Sequence, residues 1–326
     1  IVGGGLAGSL LALELRALDA DVTLIDGEPS DGSCSATAIS YGALPGWPLA
    51  PTPLARLAAG ASRHWQRLQT RHGELGWRRL RLRLQGSPAW WPLPFAQVDT
   101  AVLAARLPVA LEAAGVTRRV ARVEQLVASP APGWWLQLDD GASLAASQVV
   151  LAAGAGCRQL WPGLPEGLRS SWAAVLELPP SPLIQGRQAA CLPARFGRVE
   201  LERRAAELSQ PEWLVDGGLV PRGEGALLGQ HTLVRLGLEL GSPPPEGEVE
   251  QQLRRCQDEL QAQAETLLAA APRLGRPQAC SASRAARTVR PVKITSSTNT
   301  RSRPSRSAGS CVGAARRIPM RARSSR

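Results

Sequence analysis

Gly3, Gly5, Gly8 and Asp26 are the residues of this 326-residue chain whose types and spacing point most directly to chemistry. A Gly-x-Gly-x-x-Gly run that joins a strand to a helix binds the pyrophosphate of a dinucleotide. The first glycine permits the tight turn, the second lets the backbone approach the phosphates, and the third lets helix and strand pack closely. The helix N-terminus then offers N–H groups and the positive end of its dipole to the anion. Asp26 follows Gly8 by 18 residues. That is near the spacing of the carboxylate that accepts hydrogen bonds from the adenosine ribose. A glycine turn without a ligand is the alternative for a lone motif. Strand, turn, helix and acid in register together favour the ligand site.

The elements that must position these residues are legible around them. Ile1-Val2 reads as the end of a buried strand, residues 6–18 as a buried helix, and 21–26 as a second strand with the aliphatic run of a parallel sheet. Residues 27–41 form a loop of small polar residues, 45–53 a Pro-rich connection, 54–68 a helix and 77–84 a strand. Asp99 fits a helix N-cap, and Gly115 ends that helix. Residues 120–127, 134–138 and 147–153 read as strands, the last two joined at Asp140-Gly141. Antiparallel strands are then expected at 173–178, 188–192, 198–201, 213–220 and 226–238, followed by an amphipathic helix at 248–270.

Composition narrows the partners. The formal net charge is +11, which by itself suggests nucleic acid or a membrane surface. The excess sits at one end. Residues 281–326 hold 12 of the 38 Lys and Arg residues and none of the 27 acids, leaving 26 basic against 27 acidic residues elsewhere. That tail carries no aromatic residue for base stacking and no recognition motif, so no specific nucleic acid is expected. Its Ser/Arg-rich, aperiodic sequence reads as a disordered basic tail. Six scattered cysteines without metal-ligand spacing point to free thiols in a reducing, cytoplasmic setting, with no metal. No stretch approaches the roughly 20 apolar residues of a membrane span, and no signal peptide is recognised. The only Met is Met320, and the chain opens inside a strand, so residues preceding Ile1 are expected to be missing.

Residues 1–8 with Asp26 resemble the start of the D-amino-acid oxidase/glycine oxidase (DAO) family of FAD enzymes. Three later segments fit the same order. Residues 33–38, with Ser35, Ala36 and Thr37, resemble the small-residue loop beside the pyrophosphate and flavin. Gly115-Val116 followed by Val123 resembles the strand whose backbone meets the adenine. Residues 149–155, with Ala153 and Gly154, resemble the strand and glycine that return to the FAD. Residues 219–229 resemble the hairpin of the family's substrate domain. The resemblance implies FAD as cofactor, held by Gly3, Gly5, Leu6, Ala7, Gly8, Asp26, Ser35, Ala36, Thr37, Val123, Ala153 and Gly154. It implies an α/β fold: a Rossmann-like FAD-binding domain at 1–170 with an insertion at 42–97, and a second α+β domain on an antiparallel sheet at 171–245. A helix at 246–278 returns to the first domain, and the tail covers 279–326. The implied activity is oxidation of an amino acid or small amine at the carbon bearing the amine, by hydride transfer to flavin.

The chain departs from the family at its C-terminal end. The substrate-carboxylate Arg and the Gly-rich segment beyond it are absent in recognisable form, although Arg290-Pro291 resembles the Arg-Pro of that segment. The abrupt change of composition reads as a shift of reading frame. A catalytically impaired flavin- or nucleotide-binding protein and an NAD-dependent dehydrogenase are the alternatives, and no catalytic residue is assigned. His64, His72, His231, Tyr41 and the alternation Arg79, Arg81, Arg83 each have an ordinary structural explanation. For these the expectations are a surface helix position, a solvated turn, either a pocket-facing or an ordinary strand position for His231, a core tyrosine and a solvated strand face.

Overall fold

The structure is a computed structural model, and it describes residues 1–27, 36–37, 40–87, 89–165, 168–180, 188–235 and 290–292. After the extended Val2 and the glycine turn come α1 (Leu6–Arg16) and β1 (Thr23–Asp26). They are followed by β2 (Ala43–Pro45), α2 (Pro53–Ala59), α3 (Ala61–His72), β3 (Trp77–Leu84), β4 (Phe95–Val98) and α4 (Thr100–Ala113). β5 (Thr117–Val120), β6 (Val123–Ala128), β7 (Trp134–Leu138), β8 (Ser143–Ala146) and a short α5 (Cys157–Leu160) lead to the second half. That half comprises β9 (Ser170–Leu178), β10 (Ala189–Leu192), α6 (Gly197–Arg203), β11 (Glu212–Arg222), β12 (Gly225–Arg235) and β13 (Arg290–Val292).

The glycine turn stands on a parallel sheet. β1 pairs with β5 on one side, Thr23 opposite Thr117. On the other side it meets the N-terminal segment: the Ile25 N–H donates to the Ile1 carbonyl at 2.9 Å and the Gly3 N–H to the Ile25 carbonyl at 2.8 Å. Val2 bridges onward to Leu151, through Val2 N–H to Val150 O at 2.9 Å and Ala152 N–H to Val2 O at 2.7 Å. The first segment is therefore central, with β1 and residues 150–152 on opposite sides of it. Such a reversal of strand order opens a crevice at the C-terminal strand ends, where ligands of α/β sheets sit. Ala12 and Leu13 of α1, Leu103, Leu107 and Leu111 of α4 and Trp65 of α3 fill the core against this sheet.

The second sheet has eight strands in the order β13-β9-β12-β11-β10-β3-β4-β2. Its pairings are antiparallel except β10 with β3, where Ala189 lies opposite Arg81. It takes β2, β3 and β4 from the 42–97 segment and β9 to β12 from residues 170–235, so both regions build one surface. Leu80, Leu82, Val175, Val220 and Leu227 are buried in one core, against which Tyr41, Trp47 and Trp91 pack. β6, β7 and β8 form a separate meander.

Several expectations are corrected. Residues 198–201 are not a strand but part of α6, because Asp216 on β11 accepts the Arg198 N–H at 2.8 Å and caps the helix. The 54–68 helix is two helices, α2 and α3, broken at Gly60. The Asp140-Gly141 turn joins β7 to β8, not to residues 147–153, whose pairing is parallel and with Val2. His72 ends α3 instead of lying in a solvated turn, and is half-buried. The expected helix at 248–270 lies outside the described residues. So does the 279–326 tail, apart from β13, which pairs with β9 with Arg290 opposite Glu177. Asp99 and Gly115 perform as read: the Asp99 carboxylate accepts the Ala101 N–H at 3.1 Å, and Gly115 adopts φ +76°.

Candidate functional site

The three glycines of the turn divide the work. Gly3 has φ +107°, and a Cβ there would overlap the Ala152 carbonyl; a Cβ on Gly8 would overlap the Gly3 carbonyl oxygen. Both are required by packing of turn, helix and returning strand. Gly5 differs, since the nearest atom to its would-be Cβ is Thr37 Oγ1 at 3.8 Å. Among the described residues, space therefore lies open at Gly5 beside the N-terminus of α1. Gly5 is the N-cap and gives no side-chain capping bond. The first N–H groups of a helix need partners from outside the helix. One is supplied by the chain: the Leu6 N–H donates to Thr37 Oγ1 at 3.0 Å. The arrangement fits an incoming phosphate, because Leu6 and Ala7 are exposed at the positive end of α1.

The remaining predicted residues gather around this point. Asp26 ends β1, and its carboxylate lies against Gly4, where a Cβ would overlap Oδ2. An acid so placed sits beside the turn, where a ribose joined to the pyrophosphate would present its hydroxyls. Ala153 follows the strand that covers Gly3, and Gly154 opens the next turn with φ +57°. Ala36 and Thr37 flank the helix N-terminus, while Ser35 lies outside the described residues. Val123 opens β6; its side chain is buried with Val2 and Ile25, beside the end of β1. Sequence reasoning missed Ser9, which is 1% exposed and donates to the Gly4 carbonyl at 2.9 Å, fixing the turn from beneath. A small hydroxyl residue directly after the third glycine was the available signal.

A second group, also missed, ties the cradle to the eight-stranded sheet. Buried Asp99 caps α4 and also accepts from Arg78 at 3.0 Å and from the Gly223 N–H at 2.8 Å. Buried Gln97 donates to the Tyr41 carbonyl at 3.0 Å and to the Pro221 carbonyl at 2.6 Å. Its Oε1 accepts from Arg78 at 3.1 Å. The Tyr41 hydroxyl reaches the Gly218 carbonyl at 3.1 Å and also bonds the Gly229 carbonyl. No local spacing announces these pairs, and those to Gly218, Pro221, Gly223 and Gly229 span more than a hundred residues of sequence.

The other tempting residues have ordinary places. His64 is exposed on α3 beside Arg67, with 2.6 Å from Nδ1 to the guanidinium. The imidazole of His72 is pushed down, first by burial and then by the neighbouring Arg71 charge, against an opposing pull from Glu14. Arg81 stacks on Trp90 with its guanidinium 3.7 Å from the ring centre, and Arg83 donates to the Ser87 carbonyl at 2.7 Å. Arg79 is exposed. His231 stands in β12 opposite Val215 and Ala174. Cys157 is a free thiol, pushed up by burial, and Cys191 is buried. Among the described residues no cluster of His, Cys, Asp or Glu fits a metal ion, and no helix is long and apolar enough to cross a membrane.

Comparison with known proteins bears on this geometry. Residues 1–87 match the sequence profile of the family DAO, described as FAD dependent oxidoreductase. No curated protein matches the sequence. Among solved structures, the chain is similar to iminodiacetate oxidase from Chelativorans sp. BNC1, with 17% identity, TM-score 0.59, and 82% of this chain and 78% of the other covered. Glycine oxidase from Geobacillus kaustophilus gives 20% identity, TM-score 0.53, and coverage of 78% and 75%. L-alpha-glycerophosphate oxidase from Mycoplasma pneumoniae, solved with FAD bound, gives 10% identity, TM-score 0.57, and coverage of 83% and 78%. At these identities the structures speak for the fold, and the family assignment comes from the matched N-terminal residues. Those residues contain the cradle itself, and FAD is the cofactor that their match to the DAO model indicates.

Proposed function

We propose that the chain oxidises an amino acid or small amine at the carbon bearing the amine. The observation that carries this reading is the continuity of cradle and sheet. Thr37 touches the N-terminus of α1, and Tyr41, four residues on, packs against the eight-stranded sheet and reaches β11 and β12. With the adenosine end beside Asp26, the opposite end of a bound FAD extends toward that sheet.

When bound, FAD supplies the acceptor for the hydride equivalent, and the protein supplies position, electrostatics and exclusion of water. On this reading the backbone at Gly5, Leu6 and Ala7 holds the pyrophosphate, with Gly3 and Gly8 shaping the turn. Asp26 accepts from the ribose, and the Val123 backbone meets the adenine. Ala36, Thr37, Ala153 and Gly154 lie toward the flavin half, and the resemblance assigns Ser35 to the same half. Trp47, Trp91 and Phe95, whose rings pack 5.7 to 6.4 Å apart around Trp47, give the sheet an apolar wall that excludes water. An amine that arrives neutral needs no side-chain base. The domain limits at 1–170, 171–245 and 246–278 and a cytoplasmic setting belong to the same reading.

The test is anaerobic mixing of the FAD-loaded protein with glycine, sarcosine, iminodiacetate and a set of D- and L-amino acids. Bleaching of the flavin bands by at least one of them is expected. Bleaching by dithionite but by no amine would replace this reading with that of a flavin-binding protein without amine turnover.

A further inference from the structure

We propose that Tyr41 is a positioning residue that couples occupancy of the FAD cradle to the order of the β11–β12 hairpin; this rests on FAD binding at α1. Thr37 Oγ1 now accepts the Leu6 N–H at 3.0 Å, in the position a phosphate oxygen takes at a helix N-terminus. A phosphate is the stronger acceptor, since charge-assisted hydrogen bonds are about twice as strong as neutral ones. A pyrophosphate that settles on α1 therefore competes with Thr37 for that N–H and leaves the threonine hydroxyl to turn toward the anion as a donor. In either arrangement Thr37 responds to the cofactor.

Thr37 is not isolated. The Ser40 N–H donates to the Thr37 carbonyl at 3.3 Å, and Thr100 Oγ1 donates to the Ser40 carbonyl at 3.1 Å. Gln97 holds the next carbonyl, that of Tyr41, at 3.0 Å. The Tyr41 hydroxyl then meets two carbonyls from two strands, Gly218 of β11 and Gly229 of β12. These glycines lie opposite each other, next to register shifts at Val215/Gly218 and Gly229/His231. A phenol has one proton to donate. Two acceptors within its reach, one on each strand, give the bond two settings, and a small movement of Tyr41 transfers it between them. The same frame also grips the hairpin tip, through Gln97 on Pro221 and Asp99 on Gly223. Movement at Thr37, Ser40 and Tyr41 is thereby delivered to the hairpin at the irregular part of its ladder.

The test is amide hydrogen exchange of the full chain with and without FAD, for the wild type and for Tyr41→Phe, which keeps the ring and removes the donor. In the wild type, FAD slows exchange in peptides covering residues 3–16 and, about tenfold, in those covering 216–229. In Tyr41→Phe the first effect persists and the second falls below twofold. Because coupling is reciprocal, the variant also binds FAD about fivefold more weakly, within the usual span of such couplings. If Tyr41→Phe does not fold, Thr100→Val, which frees the Ser40 carbonyl, is read in the same way. Equal protection of 216–229 in wild type and variant, or protection of 3–16 alone in the wild type, overturns the coupling. No protection anywhere in the wild type instead overturns FAD binding.

Discussion

Gly5 and Gly8 are the same residue type with different duties, and substitution separates them. A Cβ on Gly8 meets the Gly3 carbonyl, which is backbone and cannot step aside. Gly8→Ala is expected to lower stability by at least the roughly 1–3 kcal/mol typical of overpacking, visible as a lower urea midpoint. Gly5→Ala has room and is expected to leave the midpoint nearly unchanged, while weakening FAD binding about tenfold by standing where the backbone meets the phosphates. His72 gives a pH dependence. Burial holds its folded pKa below the ordinary 6.5, so the unfolded chain takes up a proton first. Its contribution to stability is complete above about pH 6.5 and is lost as pH falls through the folded value. Urea midpoints should drop on acidification from about pH 7.5 to 5.5, and His72→Gln should flatten that part of the profile. The cradle residues were legible in sequence because their contacts are short-range or follow one motif. Ser9 and Gln97 were not, since a buried serine or glutamine looks like any other until its partners are known.

At the scale of elements, the α4 N-terminus is the most heavily used joint. Asp99 caps the helix, pairs with Arg78 and fixes the hairpin tip at Gly223. Losing a cap costs about 1 kcal/mol, and breaking a buried charge pair costs about 3–5 kcal/mol. Arg78 is partly solvated, which moderates the second figure, so Asp99→Ala is expected to cost about 3 kcal/mol in denaturant unfolding. Asp99→Asn, which keeps an acceptor for the helix, should cost less than half of that. The alternating Leu and Arg residues of β3 were legible because a two-residue period needs no partner to be recognised. The helix at Gly197–Arg203 was misread as a strand because its N-terminal cap, Asp216, comes from β11, some eighteen residues later. The break at Gly60 was missed because a glycine inside an apolar pattern is tolerated in many helices.

At the scale of the molecule, the parallel sheet and the eight-stranded sheet are joined through Thr37 and Tyr41 and through the bonds of Gln97 and Asp99 to the hairpin tip. The parallel sheet is written in the first 26 residues, in β5 and in the return at Leu151, and its class was readable from the aliphatic runs and the glycine spacing. The eight-stranded sheet was only half readable. Its strands β9, β10, β11 and β12 were foreseen, while 198–201 was misread as a strand and β13 was not expected; its union with β2, β3 and β4 depends on pairings such as Ala189 with Arg81, over a hundred residues apart. The central claim is that this assembly holds FAD at the glycine turn. Titration of the purified chain with FAD, followed by visible absorption and flavin fluorescence, measures it most directly. The account predicts saturable binding of one FAD per chain, with affinity reduced at least tenfold by Asp26→Ala, the loss of a charge-assisted bond worth about 1.5–3 kcal/mol. A colourless chain that leaves FAD fluorescence unchanged while binding NAD would contradict it.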